Sequence, residues 1–583
     1  MCKHDIMHEA DEPRLPLSSF LERRIRWIGV LLSVTCVVYF YALDRIFFSS
    51  AHFSPIFRRL LTVEDFRAAW FGLAICLLAA AWLRPSPILR LVDSLGQHPC
   101  LWALASAAMG ILGAIVVYHG YPLSMDEYAA VFQAKIFASG HLTARLPRDL
   151  IDWLVVRGFN GEFLVASPET GRAVEHYWPG FALLLAPFEL FKVPWLCNAM
   201  LSGLSLGLMH WITREITGER RAAGWALLFT IASGVFAAQV VSYYSMQAHL
   251  TANLLFVALL MKPTGRRALG AGLIGSVALT LHNPVPHALF AVPWIVAMAA
   301  ERGQRRHLLP LMLGYLPGVV LGIAWLVFRA RIWPGAPDAS SLHGVVAGAF
   351  AWPGGTLLNM RTAALAKMWV WMLPGLLLFA VMGRLRRRDN PQVRLLMQSA
   401  VLTFVGYLFV SFDQGHGWGY RYFYSAWGAV PILAACAMSN GAPTDEGEGR
   451  YSPLVVFAGA AAILNLFLVM PFQLHQISEF ITQHLAQLPP PQRPGNNVYF
   501  IHPRGGFYVA DMVQIDPLLR DPDLFLVSRG AELDAQLIRQ NWPGAVEIVA
   551  GPAADQWYLG PEDRRVPIPG SRDQKHFVFA PSP

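Results

Sequence analysis

Residues 101–128 read LWALASAAMGILGAIVVYHGYPLSMDEY, and this stretch decides the fold. From Leu101 to Tyr118 no side chain is charged. A helix needs roughly 20 such residues to cross the hydrocarbon core of a bilayer. The run stops at His119-Gly120-Tyr121-Pro122, and the first charges after it are the adjacent carboxylates Asp126 and Glu127. A membrane-crossing helix that delivers an acidic pair to the surface points to chemistry at that surface.

Outward from this stretch the apolar runs recur. Trp27–Leu43 and Ala68–Leu83 precede it. Gly180–Phe191, Trp195–Ile212, Ala222–Val241, Ala248–Met261, Ala268–Leu281, Val285–Ala300 and Leu308–Phe328 follow. Trp369–Met382, Leu395–Phe412, Phe423–Met438 and Leu454–Phe472 complete the set. Across all 583 residues, 55% are hydrophobic and 14% charged, where a soluble protein carries about 25% charged. The net charge of +8 does not indicate nucleic acid. Its Lys and Arg residues fall in short clusters between apolar runs, as topology signals do. The six cysteines form no CxxC, so neither a disulfide framework nor a zinc site is indicated.

Placing every basic cluster in the cytoplasm gives one map. The clusters are Arg23/Arg24/Arg26, Arg84/Arg90, Arg214/Arg220/Arg221, Lys262/Arg266/Arg267, Arg302/Arg305/Arg306 and Arg384/Arg386/Arg387/Arg388. The map works if Gly180–Phe191 is a half-span or interfacial helix, and it predicts about 13 crossings with the N-terminus inside and the C-terminus outside. The expected fold is an α-helical polytopic membrane protein. Residues 1–26 form a cytoplasmic segment and 27–472 the multi-span domain, with a large outer loop at 119–177. Residues 473–495 form a linker and 496–583 an extracytoplasmic α/β domain. In the outer loop, Glu127–Ser139 and Asp149–Val156 have the amphipathic spacing of interfacial helices. In the tail, Val498–Ile501, Leu524–Val527 and Val546–Val549 read as strands and Ala531–Gln540 as a helix.

Four polar groups fall on the outer face. Ser124 and Glu127 have the spacing of a capping box, which accounts for both without chemistry but leaves Asp126 unexplained. A carboxylate at a helix N-terminus stays ionised, as a general base must. His176-Tyr177-Trp178-Pro179-Gly180 closes the same loop; Pro and Gly there start a helix, and aromatics there fit a membrane belt. Asp413-Gln414-Gly415-His416-Gly417-Trp418-Gly419-Tyr420-Arg421-Tyr422 mixes glycines that admit a ligand to the backbone with an arginine whose planar fork suits phosphate. It reads equally as an interfacial turn with a snorkelling arginine. Tyr243, Tyr244, Gln247 and His249 lie near a predicted outer helix end, as do His282, Asn283 and His287. Their histidines are more often structural than metal ligands.

Asp126-Glu127-Tyr128 followed by Gln133-Ala134-Lys135-Ile136-Phe137-Ala138-Ser139-Gly140 resembles the GT-C superfamily of membrane glycosyltransferases. More narrowly it resembles the protein mannosyltransferase and aminoarabinose transferase group. Tyr177-Trp178-Pro179-Gly180 resembles that group's Tyr-Pro-Pro-Gly element, with Trp178 in place of a proline. Gly419-Tyr420-Arg421-Tyr422 resembles a late Arg-Tyr element. The resemblance implies an inverting transfer of a hexosyl or pentosyl group from a polyprenyl-phosphate donor to a lipid, glycan or protein acceptor at the outer face of the cytoplasmic membrane. It implies catalysis by Asp126 with Glu127 beside it. It also implies donor-phosphate binding by Arg421, His416 and Lys135. Tyr128, Tyr177, Trp178, Tyr243, Gln247, His249, His282, Asn283, Tyr420 and Tyr422 are then the expected pocket. Divalent-metal use is left open. The rival readings are a transporter or flippase of a lipid-linked or anionic substrate, and a polyprenyl-dependent glycan ligase.

Overall fold

The computed structural model describes residues 16–47, 58–82, 86–334, 352–410, 416–439, 452–491, 497–502, 509–542 and 546–550. The chain is a polytopic helical membrane protein. Five of its described helices are long and apolar enough to cross a membrane alone: Arg24–Ile46, Pro99–Val116, Arg305–Ile332, Pro391–Phe409 and Pro453–Leu485. Two bent pairs raise the number to seven, short of the 13 crossings expected from the apolar runs. The other runs are interrupted, short or carry too many polar groups. Gly180–Leu190, for instance, has 11 residues and rises about 16 Å, half a bilayer core.

The two bent pairs are runs that the sequence suggested as single spans. Arg220–Ile231 and Gly234–Val241 meet at 65°. Leu357–Trp371 and Leu376–Arg386 meet at 89°, because Pro374 has no N–H to continue the ladder and Gly375 adopts φ +90°. The expected Trp369–Met382 span is therefore broken in its middle.

One helix seam matters for the site. Gly265–Thr280 packs against Leu308–Ile332 through small residues at every fourth position: Gly272 and Ser276 on one helix, Gly314, Gly318 and Gly322 on the other. A Cβ on Gly272 would lie 2.1 Å from the Leu311 carbonyl oxygen, and one on Gly318 would lie 2.5 Å from Ser276 Cα. Backbones this close gain dispersion contacts that lipid cannot supply. The Ser276 hydroxyl donates to Gly314 O at 2.7 Å and accepts from Gly318 N at 2.8 Å, which satisfies backbone groups around Pro317.

Residues of three basic clusters lie near one another. Arg221 forms a two-bond ion pair with Asp93 at 2.7 and 2.8 Å, Lys262 pairs with Glu215, and Arg387 reaches Ile216 O. The first loop, the Tyr243–Tyr244 turn, the His282 turn, the Arg421 hairpin and the tail contact one another.

The first loop differs from two interfacial helices. Its Met125–Ala138 helix buries ten residues, on two faces. Ala130, Val131 and Ala134 join the bundle core, while Met125, Tyr128, Ala129, Phe132 and Ile136 join a second core shared with the tail. A helix apolar on two sides is enclosed rather than laid on a surface. Asp149–Val156 contains a single α-helical turn, Ile151–Leu154, after a short 3-10 turn. Ala144–Arg145, Arg172–Glu175 and Leu164–Ala166 add a small antiparallel sheet. In the tail, Asn497–Ile501 pairs in parallel with Leu524–Val527 on one side and Val546–Ala550 on the other. Ala531–Asn541 is helical.

Candidate active site

Asp126 is the second residue of the Met125–Ala138 helix, and its side chain is the centre of the site. The Tyr177 hydroxyl donates to Oδ1, and the Arg421 guanidinium reaches Oδ2 at 3.2 Å. Burial works to raise the Asp126 pKa, but Arg421, His282 and the Tyr177 hydroxyl outweigh it and hold the carboxyl below its ordinary value. The group is ionised at neutral pH. Arg421 also lies over the Tyr244 ring, 4.2 Å from its centroid, and the Tyr244 hydroxyl hydrogen-bonds Ser124 Oγ at 2.9 Å.

Each partner is aimed by local structure. Tyr177 follows strand Arg172–Glu175, and its carbonyl accepts from Trp325 Nε1 at 2.7 Å. Trp178 N donates to His282 O at 3.1 Å. The Trp178 ring fills the notch left by Gly322, and Gly180 sits against Thr280. The tyrosine is thus pinned to the glycine seam on both sides. Arg421 follows a tight hairpin, His416–Gly417 with Gly419–Tyr420. Gly419 turns at φ +82°, and Gly417 O accepts from Lys367 Nζ at 2.8 Å. Lys367 is fully buried and paired with Asp65, whose other oxygen accepts from Trp371 Nε1 at 2.6 Å.

Glu127, one residue from Asp126, has a different environment. Its Oε2 accepts from Leu123 N and Ser124 N at 3.1 Å and from Ser124 Oγ at 3.3 Å. Its Oε1 accepts from Tyr243 N at 2.9 Å. Burial pushes its pKa up to about 7, opposed by these hydrogen bonds. Both oxygens are occupied in holding loop to loop.

The other expected site residues divide. His282 stacks on Tyr177 with ring centroids 3.9 Å apart, and burial lowers its pKa to about 4 against the attraction of Asp126; it is neutral. Tyr422 stacks on Tyr407 at 4.7 Å and lies under Arg361. His249 is fully buried, and neither ring nitrogen has a hydrogen-bond partner among the described residues. Gln247 is satisfied by Ser205 and Tyr424, and Tyr243 OH by Gly120 O. Asn283 accepts from Val285 N within its own turn. Tyr420 is buried beside Phe404.

Two residues turn to the tail instead of to the group around Asp126. Lys135 lies nine residues along the same helix, roughly 13 Å away, where it faces Asp516 of the tail at 3.8 Å. Tyr128 points to the tail too, its hydroxyl between Ile515 N and O at 2.8 Å. The His416 side chain and Asp413–Gly415 lie outside the described residues. Sequence reasoning missed Asp65, Lys367 and Arg361: Asp65 meets Lys367 and Trp371 about 300 residues along the chain, and Arg361 bonds Tyr407 O and Val410 O, 46 and 49 residues on. Tyr244 was visible beside Tyr243, but nothing local marks it as the bed for Arg421. No group of three or more His, Cys, Asp or Glu side chains among the described residues could hold a metal ion.

Fold and site together define a polytopic membrane protein with a carboxylate–arginine–tyrosine centre enclosed by its loops. No protein-family model matches the chain, and no curated protein matches it in sequence. Among solved structures it is similar to ArnT from Cupriavidus metallidurans bound to undecaprenyl phosphate, at 14% identity and a TM-score of 0.48, over 76% of this chain and 89% of that one. The apo state of that protein gives 15% and 0.44, over 77% and 89%. The Archaeoglobus fulgidus oligosaccharyltransferase in complex with Zn and sulfate gives 12% and 0.36, over 70% and 61%. Likeness at this level fixes neither a reaction nor a substrate.

Proposed function

We propose that the protein is an inverting glycosyltransferase that moves a sugar from a polyprenyl-phosphate donor to an acceptor at the outer face of the cytoplasmic membrane. The observation that carries this reading is the contact of Asp126 with both Arg421 and Tyr177. It joins three of the sequence motifs, separated by up to 295 residues, in one site.

The chemistry follows from the charges. The acceptor hydroxyl attacks the anomeric carbon from the face opposite the leaving group, and its proton passes to the Asp126 carboxylate. The new carbon–oxygen bond forms as the bond to the lipid phosphate breaks, and the electron pair leaves with that phosphate. Arg421 neutralises the growing charge, the largest single contribution such sites make. The Arg421 guanidinium on Asp126 weakens the carboxylate as a base. A donor phosphate that draws the guanidinium away leaves Asp126 buried with fewer compensating charges, and its pKa climbs. Donor binding then switches the base on. In this reading Glu127 supports the loop that presents Asp126, and Lys135 anchors the tail.

The test is mass spectrometry of cell-envelope glycans and lipids from cells with and without the gene. Loss of one sugar substituent, restored by the wild-type gene and not by Asp126→Asn, supports the transferase. Unchanged glycans with altered lipid-linked-sugar distribution across the membrane favour a transporter. That second reading draws on the two broken helix pairs, since transporters place substrate at such breaks.

A further inference from the structure

The tail domain grips the Asp126 helix on both sides of Asp126. Asp511 Oδ2 accepts from Met125 N at 2.9 Å. The Tyr128 hydroxyl lies 2.8 Å from both Ile515 N and Ile515 O. Gln514 Nε2 donates to Pro122 O at 2.7 Å. The segment from Asp511 to Ile515 therefore holds residues 122, 125 and 128. The interface is an interior: Val498, Phe500, Ile501, Val509, Met512 and Leu526 of the tail share one core with the loop helix.

The Met125 amide is the first N–H of this helix, one of the groups that no helical carbonyl can satisfy. Glu127 and Ser124 close the capping box, but the Met125 N–H is satisfied from 386 residues away. Asp511 is buried at 4% exposure. Losing it would release the residue next to Asp126 and let the first turn fray. We propose that Asp511 is a positioning residue for Asp126, and that the tail domain is part of the active site; this rests on the transferase reading above.

The experiment uses the full chain in nanodiscs, as wild type, Asp511→Ala and Asp511→Asn. Asparagine keeps an acceptor oxygen for the Met125 N–H; alanine does not. The first readout is hydrogen–deuterium exchange of the peptide spanning Asp126, with the Asn497–Ile501 strand as a fold control. The second is steady-state transfer from a panel of undecaprenyl-phosphate hexoses and pentoses to the extracted lipids and glycans of the cell envelope. The alanine variant is expected to exchange its first turn about tenfold faster with the tail strand still protected. Its kcat should fall about tenfold or more with KM within about twofold, the pattern of lost transition-state geometry. The asparagine variant should recover most of both. Unchanged first-turn exchange in the alanine variant overturns the clamp. So does faster exchange with wild-type kcat. Failure of the asparagine variant to recover either readout does the same. If wild type turns over no donor, the transferase reading fails, and exchange alone then decides whether Asp511 holds the turn.

Discussion

Gly322→Ala is the substitution with the most traceable consequence. A Cβ at Gly322 would sit 1.9 Å from the Trp178 ring, where ordinary contacts begin near 3.5 Å. The ring must move by roughly 1.5 Å, and it is poorly placed to do so. Trp178 N is bonded to His282 O, and Tyr177 O to Trp325, one turn along the same helix as Gly322. Overpacking of this kind costs about 1–3 kcal/mol. The displacement passes to Tyr177, whose hydroxyl holds Asp126, and a misplacement of about 1 Å at a reacting group can cost ~100-fold in rate. The assays are thermal unfolding in detergent, followed by tryptophan fluorescence, and transfer rate. Gly303→Ala, where a Cβ meets nothing within 4 Å, is the control. Gly322→Ala should cost less in a Trp178→Ala background than in wild type, the non-additivity expected if the two side chains clash. A Gly322→Ala protein with the melting temperature and rate of the control would refute the argument that the seam aims Tyr177.

Glu127→Ala should destabilise by about 3 kcal/mol or more, since it leaves the Leu123, Ser124 and Tyr243 N–H groups facing a void; Asp126→Asn should also melt below wild type at neutral pH, because it removes the charge that pairs with Arg421, and unfolding in parallel detergent samples measures both. The Asp126 pKa lies below its ordinary value of 3.8, so its contribution to stability is present above pH 3.8 and is lost as pH falls through the folded-state value. In Arg421→Gln burial is left with less opposition and the pKa rises, so the sign reverses. That variant should lose stability as pH climbs from about 4 to 7, where wild type shows no such loss from this group, and melting curves across that range decide it.

How much of this was legible in the sequence depends on the range of each interaction. The acidic start of the first loop, the half-length Gly180–Leu190 helix and the strands of the tail follow from local pattern, and all lie within a residue or two of where the pattern put them. Breaks inside apolar runs were missed because Pro374-Gly375 was outweighed by the hydropathy around it. The two neighbouring carboxylates look alike in sequence. Their environments are set by Tyr243, Tyr177 and Arg421, which are 116, 51 and 295 residues distant. The same limit hides the docking of the tail: the resemblance implies a phosphate ligand at Lys135, and nothing near it in the chain announces Asp516. Long-range pairing of this sort leaves no periodicity to read.

The central claim is that Asp126 takes the proton in a transfer whose leaving group is a lipid phosphate. The direct measurement is a single turnover in nanodiscs with a radiolabelled undecaprenyl-phosphate sugar identified from the envelope analysis. Wild type should release undecaprenyl phosphate and label the acceptor in one step, while Asp126→Asn should still bind the donor and release nothing. Release of lipid phosphate by the asparagine variant at the wild-type rate would contradict the account.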